Sequence, residues 1–272
     1  MTLRRIIFRT AVRFLEKLLL IKPLSAKNKK ILQPEADSLC DIITISFNNP
    51  FIIEEQIRLT QKYFPKNHRY IVADNSTDKQ AQAEIKNLCQ KNDIMYIKVP
   101  KNRLGIFGGS YSHAGALNWA YHYIVKTRQA TYFGFIDHDI FPIKSFSIAE
   151  KINDQPIYGH LRERENFWYL WSGLCFFEYS FLKDKKVDFM PITLEKTYLD
   201  SGGGNWKAIY SRMDKNKLSF VSVHWEALKE GGSRHGDTLE YFDDCWLHTI
   251  NGSYWKKVEN KDDLLKQLLK NY

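Results

Sequence analysis

The stretch TYFGFIDHD, residues 131–139, decides the fold. Its short run of apolar and aromatic residues predicts a buried β-strand. The run ends on Asp137 and Asp139, and because residues i and i+2 of a strand point to the same side, their carboxylates are expected to face one point. Two carboxylates placed so close repel each other unless positive charge lies between them, and a divalent cation provides that charge. The alternative is a solvated turn capped by two aspartates.

Strand-like and helix-like segments alternate along the chain ahead of this stretch. The predicted strand segments are 41–50, 68–78 and 95–100, and the predicted helices are 51–64, 79–91 and 112–127. This alternation predicts a parallel, doubly wound sheet flanked by helices. In such sheets ligands bind beyond the carboxyl ends of the strands.

Polar residues collect at the predicted carboxyl ends of these strands. In chain order they are Asn48 and Asn49, then Asp74 and Asn75, then the glycine-rich loop 101–110, then Asp137 and Asp139. One such cluster is weak evidence, but four in succession at one edge of a sheet predict a binding site.

The alternation fades after residue 145, and the remaining sequence predicts a mixed α+β half. Short strand-like runs occur at 156–161, 168–178 and 218–225. The segment DSGGGNW, residues 200–206, is expected to be flexible, and NKDDLLKQLLKNY at 260–272 predicts a short amphipathic helix.

Positive charge is concentrated at the N-terminus. The 272 residues carry a net charge of +9, but residues 1–30 hold nine basic residues and one acidic residue, so they account for almost all of it. The nearly neutral remainder argues against a nucleic-acid-binding face, and we expect no nucleic-acid partner. An apolar content of 44% is sufficient to fill a large core.

Residues 1–22 predict a basic amphipathic helix. The apolar residues that recur at helical spacing are Leu3, Ile7, Ala11, Phe14, Leu18 and Ile21. The longest apolar run, 18–21, is far shorter than the roughly 20 residues that span a bilayer, and the charges within the segment argue against a signal peptide. Two interpretations stay open: the helix lies on an anionic membrane surface, or it packs on the domain or on a partner.

The four cysteines are scattered and form no C-x-x-C pair, so neither a zinc site nor a redox motif is indicated. Reduced, mostly buried cysteines are typical of a cytoplasmic protein. The sequence therefore predicts a cytoplasmic location, and the basic helix adds the option of peripheral attachment to the inner face of the plasma membrane.

Taken in order, motifs within residues 40–255 resemble those of the GT-A glycosyltransferases, specifically the family 2-like inverting enzymes. ITISFNNP (43–50) is similar to the opening strand and turn of that family, ADNSTD (73–78) to its D-(D/N)-x-S-x-D element, NRLGIFGGSYSHAGALN (102–118) to its segment of small residues that closes on an Asn, IDHD (136–139) to its DxD motif, and WSGLCFF (171–177) to its acceptor-side strand.

The resemblance implies a fold class and a domain organisation. It implies an α/β protein of the GT-A type, with a Rossmann-like, mostly parallel sheet flanked by helices and a mixed α+β acceptor-side half. The catalytic domain would span 37–272, with a nucleotide-sugar-binding half at 37–145 and an acceptor half at 146–272. Residues 1–36 would form the separate basic helix and its linker.

The resemblance also implies a site for a nucleotide-sugar donor and Mn²⁺ or Mg²⁺. Asp139 is the implied direct metal ligand, and Asp137 the implied contact to the ribose, the metal or a metal-bound water. Asp74 is implied to hydrogen-bond the nucleobase, with an Asx-type turn as the alternative. The other implied donor-binding residues are Asn48, Asn75, Gly105 and Asn118.

A general base has to take the proton of the acceptor hydroxyl. The resemblance points to an acid after the acceptor-side strand, and Asp200, followed by glycines that permit a mobile loop, is the choice. Asp243 and Asp244 are its rivals.

His248 resembles a late histidine that supplies a third metal ligand, with a core histidine as the alternative; His224 and His235 are weaker candidates. Trp168 and Trp171 are either core residues or a flat face for a sugar ring.

The function that the resemblance implies is metal-dependent, inverting transfer of a sugar to a hydroxyl of a glycan or lipid-linked acceptor, in surface polysaccharide synthesis. Two alternatives stay open: a metal-dependent phosphoester hydrolase that uses Asp137, Asp139 and histidines, and a catalytically inactive scaffold at a membrane.

Overall fold

The computed structural model of the chain describes residues 3–34, 38–227, 238–249 and 260–272. Its helices are α1 (Leu3–Leu20), α2 (Ala26–Ile31), α3 (Pro50–Tyr63), α4 (Lys79–Lys91), α5 (Gly109–Ala120), α6 (Lys126–Arg128), α7 (Ile148–Ile152), α8 (Tyr179–Leu182) and α9 (Lys261–Leu269). Its strands are β1 (Cys40–Ser46), β2 (His68–Asp74), β3 (Met95–Lys98), β4 (Tyr132–Asp137), β5 (Ile140–Pro142), β6 (Ile157–Arg164), β7 (Phe167–Glu178), β8 (Ile192–Leu194), β9 (Thr197–Leu199), β10 (Val223–Ala227), β11 (Thr238–Phe242) and β12 (Trp246–Thr249).

A six-stranded sheet of order β3-β2-β1-β4-β7-β6 forms the centre of the fold. The pairs β3–β2, β2–β1 and β1–β4 are parallel, whereas β7 runs antiparallel to both β4 and β6. The predicted α/β class, with a mostly parallel sheet followed by a mixed half, is therefore confirmed. The parallel strands end together, so β1, β2 and β4 deliver their last residues to one edge.

A second, antiparallel sheet of order β10-β11-β12-β5 begins directly after β4. Its strand β5 starts three residues after Asp137, so the chain leaves the central sheet at the aspartate pair and enters the second sheet at once. The pair therefore lies at the junction of the two sheets. Next to it in the second sheet is β12, which pairs with β5.

Polar side chains that follow the strands also cap the N-termini of the next helices. The side chain of Asn49 accepts a hydrogen bond from the Ile52 amide, with Pro50 at the first helical position of α3. Asp78 caps α4 in the same way by accepting from two amides. Such caps satisfy amide groups that the helix itself leaves unpaired, so these polar residues have a structural role before any binding role.

The central sheet is covered on both faces. Ile43 and Ile45 of β1 pack with α1 and α5 in one core cluster, whereas Ile42, one residue out of phase, packs with α3 and α4 in another. The central strand β4 admits no side chain at Gly134, because a Cβ there would lie 2.1 Å from the Phe176 ring of β7. The burial of the sheet on both faces agrees with the continuous apolar sequence of its strands.

Helix α1 packs against the rest of the protein by one face. Val12 and Leu19 are 4% and 1% exposed and belong to the main hydrophobic core. The Arg13 guanidinium forms one ion pair with Glu16 of the same helix and a second, at 2.5 Å, with Asp188 outside the helix. Helix α1 thus contributes to the same core as the elements that follow it, and the domain boundary between residues 36 and 37 stays a prediction.

The opposite face of α1 is apolar and exposed. Leu3, Ile7, Phe14 and Ile21 are 72%, 61%, 59% and 69% exposed. These residues belong to the apolar stripe that the sequence pattern identifies, so the stripe is turned outward while Val12, Glu16 and Leu19 face inward. Among the described residues no helix has the length and apolarity that crossing a membrane requires.

Two segments of the second half differ from expectation. Residues 200–206, predicted to be flexible, are packed: Ser201, Gly202 and Gly203 are buried, and Asn205 is completely buried. The strand predicted at 218–225 is confirmed only from Val223 onward. In both cases contacts distant in sequence decide the local structure, since the Asn205 side chain binds the Asp188 amide and Val221 binds the Gly159 carbonyl.

Candidate functional site

The turn that carries Asp137 and Asp139 is fixed by neighbours on every side. The Gln56 amide, buried in α3, donates to the carbonyls of Asp137 and Ile140 at 3.0 and 2.6 Å. The Thr249 amide donates to the Asp139 carbonyl at 3.1 Å. Between the two aspartates, His138 Nδ1 accepts a hydrogen bond from the Phe47 amide at 3.3 Å. The backbone of the turn is therefore set before any ligand binds.

Asp137 keeps one carboxylate oxygen without a hydrogen bond. Its Oδ1 is buried and has no hydrogen-bond partner among the described residues, although His113 Nε2 lies 3.2 Å away outside hydrogen-bond geometry. Burial raises the pKa of Asp137, His113 opposes this shift, and the charge of Asp139 adds to it. A buried, unsatisfied carboxylate oxygen is costly, and a cation is the partner that compensates for it best.

His248 reaches the same point from β12. Its Nε2 lies 3.7 Å from Asp139 Oδ1, and its Nδ1 lies 2.8 Å from Glu240 Oε2 on the neighbouring strand β11. Because a carboxylate only accepts, Nδ1 carries the proton in this contact and Nε2 faces Asp139. Burial alone lowers the pKa of His248, but Asp139 and Glu240 outweigh it and raise the pKa.

The oxygen and nitrogen atoms of these side chains are suitable ligands for a magnesium or manganese ion. The described ranges contain no preassembled group of three or more His, Cys, Asp or Glu side chains that holds a metal by itself. Mg²⁺ and Mn²⁺ sites at phosphates commonly use one or two carboxylates and take the remaining oxygens from the ligand and water. Asp139 and the free oxygen of Asp137 match that requirement, with His248 beside them.

An aromatic wall adjoins the site on the β7 side. The rings of Trp171 and His248 lie 5.1 Å apart, and Phe242 stacks on His248 at 5.8 Å. Trp171 is half-buried, and the Arg162 guanidinium lies 5.5 Å from its ring centroid. Trp168 is 8% exposed and packs on Tyr210 and Phe220, so it is a core residue and not a sugar platform.

Asp74 lies at the end of β2 and is completely buried. Its Oδ1 accepts from the Ser46 hydroxyl and the Ser76 amide, both at 2.9 Å, and its Oδ2 accepts from the Tyr96 hydroxyl at 2.7 Å. The carboxylate is thus used to hold the turn that follows β2, which is the Asx-type alternative. The nucleobase contact stays a prediction that requires this network to open.

Asn48 and Asn75 fix the neighbouring loops. Asn48 has a left-handed backbone, and its side-chain oxygen accepts from the amides of Thr77 and Asp78 at 2.9 and 3.0 Å, which joins the ends of β1 and β2. The Asn75 amide donates to Ser112 on α5 at 3.2 Å. Both residues belong to the strand-end surface where a donor was predicted.

Gly105 lies in a short 3-10 helix just before α5. It is exposed, and the nearest atoms to a Cβ there are 3.9 Å away on Ser112. Gly108, at the N-terminus of α5, has a φ of 117°, a conformation that favours glycine, and no atom lies within 4 Å of its Cβ position. The start of α5 therefore presents open backbone next to His113.

The Asn118 side chain binds α1 and residues 188–189. Its amide donates to Glu16 at 2.6 Å and to Asp188 at 3.2 Å, and its oxygen accepts from the Phe189 amide at 2.7 Å. All of these partners belong to α1 or to residues 188–189. The side chain therefore forms a buried bridge between α1 and residues 188–189, and its predicted contact with a donor stays a prediction.

Asp200 follows β9 and is half-buried. Its Oδ1 accepts from the Ser201 amide at 2.8 Å and contacts the Tyr198 hydroxyl at 3.4 Å. Burial raises the pKa of Tyr111, near the start of α5, and the charge of Asp200 adds to this shift.

Asp243 and Asp244, the other candidates for the general base, lie in the hairpin that joins β11 and β12 and have structural partners. Asp243 binds the Ser222 amide at 2.9 Å and Lys151 at 3.2 Å, and Asp244 binds His224 at 3.2 Å. His224 stacks on Tyr241 and is half-exposed. His235 lies outside the described residues.

Three residues of the site were not predicted from the sequence: His113, Gln56 and Glu240. Only Glu240 gives a signal in the sequence, since an acid inside the apolar strand TLEYF requires a partner once buried. His113 and Gln56 lie on helices, and nothing in their local sequence indicates which strand end they meet.

No family model matches the chain, and no curated protein matches it. Solved structures do match. The mannosyltransferase PcManGT from Pyrobaculum calidifontis, in complex with GDP-Man and Mn²⁺, shares 14% identity over 65% of this chain and 56% of its own, with a TM-score of 0.41. This chain therefore spans little more than half the length of that protein.

Two further matches are similar in extent. The mannosyltransferase Ktr4p of S. cerevisiae shares 10% identity over 64% of this chain and 66% of its own, with a TM-score of 0.39. TarS residues 1–349 of S. aureus, in complex with UDP, shares 18% identity over 53% of this chain and 48% of its own, with a TM-score of 0.37. At these identities the likeness concerns the fold alone.

Proposed function

We propose that this protein is a metal-dependent, inverting glycosyltransferase that moves a sugar from a nucleotide-sugar donor to a hydroxyl of a glycan or lipid-linked acceptor. The observation that carries the proposal is the Asp137–Asp139 turn at the carboxyl end of a central strand, where one buried carboxylate oxygen accepts no hydrogen bond from the described residues. A role in surface polysaccharide synthesis is part of the proposal.

Asp139 and Asp137 would hold Mn²⁺ or Mg²⁺, with His248 as a third contact. The ion, when bound, neutralises the charge that the departing diphosphate gains. Glu240 fixes the ring of His248, and Gln56 fixes the backbone that positions both aspartates. The open backbone at the start of α5 faces the region where the donor phosphates would lie, and amide groups at a helix N-terminus favour anions.

Asp200 would accept the proton of the acceptor hydroxyl. Both hydrogen bonds that its carboxylate accepts from the described residues use Oδ1, so the acceptor would meet Oδ2. Asn48 and Asn75 would frame the nucleobase and ribose, while Asp74 holds the turn between them.

Turnover of nucleotide sugars tests this function. With a panel of UDP- and GDP-sugars, we expect release of the nucleoside diphosphate that requires Mn²⁺ or Mg²⁺ and increases when acceptor is added. Asp139→Asn is expected to reduce it by roughly two orders of magnitude. Asp154→Asn, at an exposed position, is the control that should not change it.

Other outcomes identify the alternatives. Metal-stimulated hydrolysis of a simple phosphoester such as p-nitrophenyl phosphate, with no acceptor added, indicates the phosphoester hydrolase, and the absence of donor binding and turnover indicates the scaffold. Asp200→Asn should bind donor normally and fail in transfer; normal transfer would assign the base to another residue.

We also propose that α1 attaches the protein to an anionic membrane surface. The outward apolar face of the helix supports this, together with the exposed basic side chains Arg4 and Lys17 on it. Co-sedimentation with phosphatidylglycerol-containing vesicles is expected, and binding that does not depend on Phe14 would contradict it.

A further inference from the structure

A groove with a volume of about 1310 Å³ follows the edge of the central sheet at β2 and β3. Its lining includes His68, at the start of β2, and Lys98 of the edge strand β3, which pairs with Asp74 at the end of β2. Because β2 has seven residues, the groove is about 20 Å long. Sites that hold one small molecule have volumes of roughly 300–1,000 Å³, so the size of this groove fits a chain-like ligand.

The lining of the groove is strongly basic. Among the described residues it contains one acidic side chain, Asp93, and six basic ones: Lys27, Lys66, Arg69, Lys79, Lys86 and Lys98. Residues 31–272 hold 31 basic and 30 acidic side chains, so they are nearly neutral as a whole, yet five of the six groove cations belong to them. Counting Glu35 and Asp37, which lie outside the described residues, still leaves six basic side chains against three acidic ones.

Most of these cations lack an anionic partner. Within the described ranges no salt bridge involves four of the lysines, Lys27, Lys66, Lys79 and Lys86. Lys98 donates to the neutral Gln82 side chain at 2.6 Å. Positive charges gathered in a concave surface without counter-charges raise the local concentration of anions, so the groove favours an anionic ligand.

A buried histidine in the lining offers an acceptor to a hydroxyl group. His68 is 7% exposed, and its Nδ1 lies 3.0 Å from the side-chain oxygen of Asn67. Because that oxygen only accepts, Nδ1 carries the proton and Nε2 is an acceptor. This Nε2 is buried and has no hydrogen-bond partner among the described residues. A ligand that carries hydroxyl groups beside its anionic groups would satisfy both this nitrogen and the lysines.

We propose that the groove binds an anionic glycan, a chain of sugars that carries carboxylate or phosphodiester groups. The inference rests on the proposed function for the role of such a chain. It deepens that function by making the glycan acceptor polyanionic, held along β2 and β3 and leading to the strand-end surface at Asp74.

The aromatic residues of the groove favour a glycan over a nucleic acid. Single-stranded nucleic acids bind by stacking their bases on accessible aromatic rings. The groove contains Phe64, Tyr70 and Tyr96, and all three are buried or half-buried. Phe64 packs on Trp246 at 5.7 Å, and the Tyr96 hydroxyl donates to Asp74 at 2.7 Å. The groove therefore offers charge and hydrogen bonds but no exposed platform for bases.

Binding of defined polymers to the full chain tests the groove. The probes are fluorescently labelled oligogalacturonate, which carries carboxylates, and phosphomannan oligosaccharides, which carry phosphodiesters. Neutral dextran, inorganic polyphosphate and a single-stranded RNA are the comparison ligands. The groove variant is Lys66→Gln/Lys86→Gln, and the matched control is Lys207→Gln/Lys217→Gln, at two exposed lysines outside the groove. Both variants lose two positive charges and keep the basic N-terminal segment, so any binding by that segment is the same in both.

We expect fluorescence anisotropy to show binding of an anionic glycan and none of dextran. The groove variant should bind about tenfold more weakly and with a smaller salt dependence, whereas the control should bind like the native protein. The tighter of the two glycans identifies the anionic group.

Three results would overturn the proposal: equal affinities of the two double variants, no binding of either glycan by the native protein, or tighter binding of RNA or polyphosphate than of both glycans. No donor is present, so failure of nucleotide-sugar turnover leaves this result unchanged. Normal turnover with equal affinities of the two double variants would remove the groove and keep the proposed function.

Discussion

A single buried carboxylate, Glu240, holds the histidine of the site in place. It is 1% exposed, binds His248 through Oε2, and has no hydrogen-bond partner for Oε1 among the described residues. Carboxylates that orient a metal-binding histidine in this way raise its basicity and fix its tautomer. Glu240 is therefore the positioning residue whose loss should separate metal binding from folding.

Glu240→Ala should weaken Mn²⁺-dependent binding of UDP or GDP by roughly 10- to 100-fold, because His248 loses its orientation. Glu240→Gln keeps an acceptor oxygen and should retain most of the affinity. Isothermal titration with and without Mn²⁺ measures both, with Glu163→Ala, an exposed residue of β6, as the control. Equal affinity in Glu240→Ala and the native protein would contradict the role.

His68, at the start of β2, gives the protein a defined sensitivity to acid. It is 7% exposed, and burial lowers its pKa from 6.5 to about 4. Between these values the unfolded chain binds a proton at His68 that the folded protein does not, so the contribution of His68 to stability falls as the pH falls from about 6.5 towards 4 and is constant below that.

His68→Gln should reduce this loss of stability. We expect the difference between urea midpoints at pH 7.5 and pH 4.5 to be smaller in His68→Gln than in the native protein. His224→Gln, at a half-exposed histidine, is the control that should behave like the native protein. The same pH dependence in all three proteins would show that His68 is not the group responsible.

At the scale of the element, α1 has two faces with different tasks. Its inward face contributes to the main core. Arg13 of α1 binds Asp188, and Asn118 of α5 binds the Phe189 amide, so both helices contact the loop at 188–189. The outward face of α1 carries the exposed stripe. The sequence pattern identified the stripe correctly, but nothing in it predicted that Glu16 and Asp188 would meet the Asn118 amide, since those residues lie far apart along the chain.

Two substitutions in α1 should separate these tasks. Leu19→Ala is expected to lower the free energy of unfolding by about 2–5 kcal/mol, because it opens a cavity in the core. Phe14→Ser should change it by only about 0.5 kcal/mol and should weaken binding to phosphatidylglycerol vesicles. Urea unfolding and vesicle co-sedimentation measure the two effects. Reversed effects would assign the faces the other way round.

At the scale of the whole molecule, the site forms where the central sheet passes into the second sheet. The four parallel strands and the grouping of polar residues at their ends followed from local periodicity, because each strand–helix unit is short and buried on both faces. The placement of His248 and Glu240 did not, since it depends on the pairing of β5, β12 and β11. The sequence predicted one site for Asp137, Asp139 and His248, and the structure brings His248 to within 3.7 Å of Asp139, but the residues that support them could not be predicted.

Anomalous diffraction from crystals grown with Mn²⁺ and UDP or GDP tests the central claim, a cation held by the paired aspartates, most directly. We expect a manganese peak within coordination distance of the Asp139 carboxylate, next to Asp137 Oδ1 and the diphosphate. A manganese peak elsewhere on the molecule, with nucleotide bound away from both aspartates, would contradict the account.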